Sequence, residues 1–161
     1  MEKIWKNIIL NIFLNGKVNQ IDIISNNIND TLDISYEFAK YLKKTDVVVL
    51  NGELGSGKTV FVQGIAKYFG AENEVSSPTF TIVNEYIKDN VNIYHFDVYR
   101  LETEKQFIDT IGTEYFENGI SIIEWGNIIK NILPKNTIYI DISKIDDDTR
   151  NMMIRRNLWI F

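Results

Sequence analysis

Cysteine is absent from this 161-residue chain, and histidine occurs once, as His95. Without thiols there is no disulfide, no thiolate metal site and no cysteine nucleophile. A single imidazole excludes a multi-histidine metal centre. Positive charge is not in excess either: 17 Lys and Arg stand against 22 Asp and Glu, a net charge of −5, which argues against a broadly basic nucleic-acid surface. Long apolar runs are missing as well. The partly apolar N-terminus is interrupted by Glu2, Lys3, Lys6, Asn7, Asn11 and Asn15 and has no small-residue cleavage site, so neither a membrane span nor a signal peptide is expected.

What remains, 45% hydrophobic and 24% charged residues, is the make-up of a soluble globular chain, expected in the cytoplasm. Ile4, Trp5, Ile8, Ile9, Ile12 and Phe13 recur at helical spacing, which predicts an N-terminal helix with one apolar face. Residues 1–19 are therefore set apart as a helical N-terminal extension. Residues 20–161 are expected to form one domain, large enough for a three-layer α/β core.

Residues 52–59 read Gly-Glu-Leu-Gly-Ser-Gly-Lys-Thr, a complete phosphate-binding loop. Before it stands the apolar, largely β-branched run Val47-Val48-Val49-Leu50, the pattern of a buried parallel strand. After it, residues 58–69 form a helical stretch closed by Gly70. Gly52, Gly55 and Gly57 allow successive N–H groups of Glu53, Leu54, Gly55, Ser56, Gly57, Lys58, Thr59 and Val60 to converge on one anion beside a helix N-terminus. Lys58 can reach the β- and γ-phosphates, and the Thr59 hydroxyl can ligate Mg²⁺. The motif predicts nucleotide binding without naming the base.

The flanking segments predict an α/β fold of P-loop NTPase type, three layers around a mixed parallel and antiparallel sheet. Strands are expected at 20–25, 47–50, 80–87, 91–99, 121–125, 137–145 and 151–160. A helix is expected through Lys44 from a cap at Asn29-Asp30-Thr31, with Ile34, Phe38, Tyr41 and Leu42 on its buried side. Residues 103–118 read as a helix interrupted at Gly112, and 127–133 as a short helix stopped by Pro134. The polar link Lys88-Asp89-Asn90 predicts that 80–87 and 91–99 pair as an antiparallel hairpin.

A phosphate loop needs an acidic partner for Mg²⁺, commonly at the end of a buried strand. Asp97 and Glu124 each end such a run. One would bind Mg²⁺ directly or through water, and the other would orient or deprotonate the attacking water; the residues alone leave the assignment open. On the same strand Tyr94 and Phe96 are expected in the core, and His95 as a hydrogen-bonded structural residue or part of a contact surface rather than a general base.

Four motifs in order, Gly-Glu-Leu-Gly-Ser-Gly-Lys-Thr (52–59), Ser-Pro-Thr-Phe-Thr-Ile-Val-Asn-Glu-Tyr (77–86), Tyr-His-Phe-Asp-Val-Tyr-Arg-Leu (94–101) and Glu-Trp (124–125), together resemble the TsaE (YjeE) family. These are bacterial ATPases of tRNA threonylcarbamoyladenosine modification. The resemblance spans about residues 21–157. It implies ATP and Mg²⁺ as ligands, with Thr59 and Glu124 as metal ligands, Asp97 as an acidic residue needed for hydrolysis, and Lys58 on the phosphates. It places Thr79 in a switch-like loop, Trp125 beside the acidic residue, and residues near Ile28–Thr31 and near Thr149-Arg150, Thr31 and Arg150 among them, on the adenine and ribose side. It further implies TsaD and TsaB as protein partners, with tRNA met only through their complex, and weak turnover without them. Three departures stand out. Val60 replaces a frequent second threonine, removing a hydrogen bond of about 1 kcal/mol. Gly126-Asn127 follows Glu-Trp where the family often has Pro or Ala and then an acidic or amide residue. Residues 1–19 have no family counterpart.

Other nucleotide-binding classes fit less well. A small-molecule kinase would carry a lid with several arginines, whereas Arg100 is the only arginine between the loop and residue 149. Asp109-Thr110-Ile111-Gly112 imitates a GTPase switch, but it falls inside a helical stretch and no guanine-reading Asn-Lys-x-Asp follows the loop. A nucleotide-binding regulatory subunit without significant turnover is the remaining alternative.

Overall fold

In a computed structural model, the structure describes residues 10, 11, 13, 15, 16, 18–88 and 90–156. Seven strands form a single sheet: β1 (Gln20–Ser25), β2 (Val47–Asn51), β3 (Val83–Lys88), β4 (Val91–Asp97), β5 (Ile120–Glu124), β6 (Ile138–Lys144) and β7 (Arg150–Arg156). Their order is β1-β7-β6-β2-β5-β4-β3. The middle four, β6, β2, β5 and β4, run parallel. Antiparallel partners close both flanks: β3 pairs with β4, and β7 with both β6 and β1. The expected hairpin is present, with Val83 opposite Phe96 and Lys88 opposite Val91.

The central strand β2 explains the layering. Its successive side chains point to opposite faces, and all four of Val47–Leu50 are buried. Val48 and Leu50 pack into a core with Ile34 and Phe38 of helix α1 (Ile28–Ala39) and Phe61, Val62 and Ile65 of helix α2 (Lys58–Tyr68). Val47 and Val49 pack on the other face with Phe107 of helix α3 (Glu104–Thr110), Phe116 of the short α4 (Tyr115–Asn118), and Ile129 of a 3₁₀ turn. Helices therefore cover both faces, as the strand pattern requires. Gly64 lets α1 and α2 approach closely: a Cβ there would stand 2.7 Å from the Leu32 carbonyl and against the Ser35 hydroxyl.

Several boundaries differ from expectation. β3 begins at Val83, not at Phe80, because Pro78 starts a turn in which Thr81 and Ile82 N–H groups both donate to its carbonyl. Ile82 has φ 67° and Phe80 is exposed. α1 is capped two residues before the expected segment, by the Asn27 side chain accepting from Asp30 N–H. It ends at Ala39 rather than Lys44, where Asp46 draws the Lys43 N–H into a turn and Thr45 takes φ 79°. β4 ends at Asp97, leaving Tyr99 exposed. Residues 103–118 break at Gly112, as expected, with φ 90°.

Of the expected N-terminal helix, Leu10, Asn11 and Phe13 are helical, and Leu10 and Phe13 are buried in the core; its residues 1–9, 12 and 14 lie outside the described residues. So do 157–160 of the expected last strand. No helix among the described residues is long and apolar enough to cross a membrane.

Candidate functional site

The phosphate loop joins the carboxyl end of β2 to α2 at the centre of the parallel strands. Only glycine fits at its entrance: Gly52 has φ 153°, and a Cβ there would lie 2.5 Å from both the Ile142 carbonyl and Ser56 Oγ. The chain enters α2 through Gly57 in a left-handed conformation, and no side chain caps the helix. α1 and α3, by contrast, are capped by Asn27 and Thr103. Among the described residues no side chain caps the first-turn N–H groups of α2, which leaves a ready anion site beside the loop. Ser56 Oγ is buried with no hydrogen-bond partner among the described residues. Glu53 and Leu54 turn their side chains to solvent, so they can serve the site through backbone only.

Lys58 is buried at the foot of this loop. Its ammonium donates to the carbonyls of Gly52 at 2.7 Å and Glu53 at 3.0 Å, and lies 4.6 Å from the Trp125 ring centroid. Burial pushes its pKa below the ordinary 10.5, with Glu124 and Asp97 pulling the other way. Trp125 itself sits at φ 64°, an uncommon conformation for a bulky residue, directly after β5.

The two carboxylates come from adjacent parallel strands. Asp97 and Glu124 are register partners at the ends of β4 and β5, and Glu124 is also level with Leu50 of β2. Both are buried. Asp97 accepts from Thr79 Oγ1 at 3.2 Å and from Tyr99 N–H at 3.1 Å. Glu124 Oε1 bonds His95 Nε2 at 2.8 Å. The fold therefore gathers Lys58, Asp97, Glu124, Thr79 and Trp125 at one end of the sheet, with Thr59 in the first turn of α2. Hydroxyl and carboxylate oxygens are the donor chemistry that Mg²⁺ prefers, and a lysine with free helix amides suits a polyphosphate. The residues present fit both groups.

Beside the loop, Asn27, Ile28, Thr31, Gly55, Ser56, Gly57, Val60, Asp147, Asp148 and Arg150 line a cavity of about 170 Å³. Thr31, Val60 and Arg150 thus stand together, although separated widely in sequence. The Thr31 hydroxyl is occupied by Ser25 Oγ at 2.7 Å. Arg150 acts first as a strut: its Nε donates to the Ser56 carbonyl at 3.0 Å, and its Nη1 to the carbonyls of Asp146 and Asp147. Asn27 adjoins the Ile28–Thr31 stretch as the cap of α1, and Asp147 and Asp148 reach the cavity because the pairing of β6 with both β2 and β7 brings the turn between β6 and β7 over the loop.

The match to known proteins follows these same elements. A family model described as threonylcarbamoyl adenosine biosynthesis protein TsaE matches residues 25–152. A Rickettsia bellii protein named tRNA threonylcarbamoyladenosine biosynthesis protein TsaE is 38% identical over 128 residues, 79% of this chain and 89% of that protein. A Bacillus subtilis protein of the same name is 39% identical over 127 residues, 78% of this chain and 79% of its own. The crystal structure of Bacillus subtilis YdiB superposes with a TM-score of 0.71 at 32% identity, covering 88% of each chain. The chain belongs to the TsaE family.

Proposed function

We propose that this chain is a cytoplasmic, Mg²⁺-dependent ATPase that supports tRNA threonylcarbamoyladenosine synthesis as an accessory to TsaD and TsaB, meeting tRNA only through them. The observation that carries the reading is the convergence of Lys58, Asp97 and Glu124 beneath a helix N-terminus that no side chain caps. The family names of the relatives support the pathway.

In this reading the amides of the loop and the first turn of α2 hold the β- and γ-phosphates. Lys58 exchanges the Gly52 and Glu53 carbonyls for phosphate oxygens and stabilises charge there as the γ-phosphoryl group transfers. Asp97 orients the attacking water and receives its proton as the water oxygen bonds to phosphorus and the bond to ADP breaks. Thr59 and Glu124 would hold Mg²⁺, with Asp97 near enough to contribute through water; the ion, when bound, neutralises phosphate charge. Adenine and ribose are assigned to the cavity between the α1 N-terminus and the β6–β7 turn.

The Thr79–Asp97 hydrogen bond favours partner-stimulated turnover over a free-standing enzyme. It engages the water-orienting carboxylate with the 76–82 loop, so turnover depends on where that loop sits. Phosphate release tests the site. Lys58→Ala should lower Mg²⁺-dependent release by about a hundredfold or more, and Glu124→Gln should weaken its metal dependence. Parent-like hydrolysis by both variants would overturn the assignment.

A further inference from the structure

His95 is completely buried and both ring nitrogens are engaged. Nε2 lies 2.8 Å from Glu124 Oε1, and Nδ1 lies 3.2 Å from the Tyr86 hydroxyl. Tyr86, itself buried on β3, also places that hydroxyl 3.3 Å from the Ser76 carbonyl. With Glu124 taken as the ionised ligand of the proposed function, Nε2 is the donor, and a neutral imidazole leaves Nδ1 to accept from the tyrosine. The one phenolic proton then faces two acceptors, His95 Nδ1 and the Ser76 carbonyl. Ser76 stands at the root of the segment that carries Thr79. A connected line of polar groups thus runs from the Glu124 carboxylate, through the interior of the sheet, to the loop whose Thr79 touches Asp97.

We propose that His95 is a positioning residue for Glu124, holding the carboxylate by Oε1 and leaving Oε2 as its ligand atom, with Tyr86 tying this support to Ser76. The proposal rests on the reading of Glu124 as an Mg²⁺ ligand. Its physical basis is that a carboxylate ligand is as good as its orientation, and outer partners that fix that orientation typically govern metal affinity by 10–100-fold. A merely structural histidine would satisfy a buried carboxylate, yet would alter metal binding only as far as it alters folding. A buried imidazole needs a partner at Nδ1 in either case, so metal affinity in a folded variant distinguishes the two.

The test uses the full chain with Trp5 and Trp159 replaced by Phe, leaving Trp125 as the reporter. ATP affinity is measured by fluorescence without Mg²⁺, and the apparent Mg²⁺ affinity is then titrated at saturating ATP, with folding followed by circular dichroism. His95→Ala should weaken Mg²⁺ by about 10–100-fold and leave Mg²⁺-free ATP binding within about twofold. His95→Gln, whose amide nitrogen can still donate to Glu124, should recover most of the loss. Tyr86→Phe, which removes one oxygen, should weaken Mg²⁺ by about three- to tenfold. A folded His95→Ala protein with parental Mg²⁺ affinity overturns the proposal, as does equal loss of ATP binding with and without the metal. If His95→Ala does not fold, Tyr86→Phe decides by the same titration, and parental Mg²⁺ affinity in it overturns the proposal. A parent chain whose ATP binding ignores Mg²⁺ refutes the site reading itself, whereas a responsive parent with unresponsive variants refutes this inference alone.

Discussion

The Lys58 ammonium rests 4.6 Å from the centroid of the Trp125 ring while it donates to two carbonyls of its own loop. The cation proposed to bind phosphate and an aromatic reporter are therefore in contact. Trp125 emission should change when ATP draws Lys58 onto phosphate. Of the three tryptophans, Trp5 and Trp159 can be replaced by Phe to isolate the signal. ATP should shift the remaining fluorescence, and Lys58→Ala should abolish the shift. An unchanged response in Lys58→Ala would separate Trp125 from the phosphate site.

Lys58 also sets a pH dependence. Burial lowers its folded pKa below 10.5, so between the folded value and 10.5 the unfolded chain holds one proton more than the native one. Stability from this group therefore rises with pH across that window. Lys58→Met should remove this slope and leave the protein at least as stable, because no charge is then buried. ATP affinity should move the opposite way and fall across the same window as the ammonium is lost. Urea unfolding and ATP titration at several alkaline pH values check both signs; parallel changes would contradict them.

Arg150 joins the phosphate loop to the β6–β7 turn through the carbonyls of Ser56, Asp146 and Asp147. Its removal should loosen both walls of the cavity beside the loop. Arg150→Ala is expected to weaken ATP binding by about tenfold, the loss of roughly one charge-assisted hydrogen bond. Arg150→Lys should restore little, since an ammonium cannot span the carbonyls of Ser56, Asp146, Asp147 and Thr149 as a planar fork does. Equilibrium ATP titration gives the answer.

Gly64 offers a test of the core beneath the site. Alanine is ordinarily the better helix former by about 1 kcal/mol, yet its Cβ would collide with the Leu32 carbonyl and Ser35 hydroxyl of α1. Gly64→Ala should therefore destabilise the fold, by about 1–3 kcal/mol as for other overpacked sites. Chemical denaturation measures this directly, and a gain in stability would show that α1 can withdraw freely.

The phosphate loop, its strand and its helix are legible in the chain because local chemistry dictates them: a β-branched run, glycines at fixed spacing, and Lys-Thr opening a helix. The β3–β4 hairpin is legible for a similar reason, since a three-residue polar link leaves antiparallel pairing as the short route. The start of β3 is not, because the turn at Pro78 overrides the strand-like residues Phe80 and Ile82. Asp97 and Glu124 can be picked out as strand-ending acids, but their adjacency depends on parallel register between β4 and β5. The bond between His95 and Glu124 is equally a product of that register. His95 reads from its strand as a hydrogen-bonded structural residue or part of a contact surface, and only the fold buries it and names its partners. Arg150 is the converse case: the resemblance implies a place near the nucleotide, whereas its bond to Ser56 needs strands distant in sequence to meet.

The most direct measurement is phosphate release from ATP with Mg²⁺, with and without TsaB and TsaD. Thr79 holds Asp97 from the 76–82 loop, so a partner that moves this loop should change the carboxylate proposed to orient water. Release should be slow for the chain alone and rise roughly tenfold or more with the partners, within the usual range of coupling between sites. Thr79→Ala should reduce the ratio of stimulated to unstimulated rate, and Lys58→Ala should release no phosphate above background in either condition. Rapid release that ignores the partners, or transfer of the phosphoryl group to a small metabolite, would contradict an accessory ATPase.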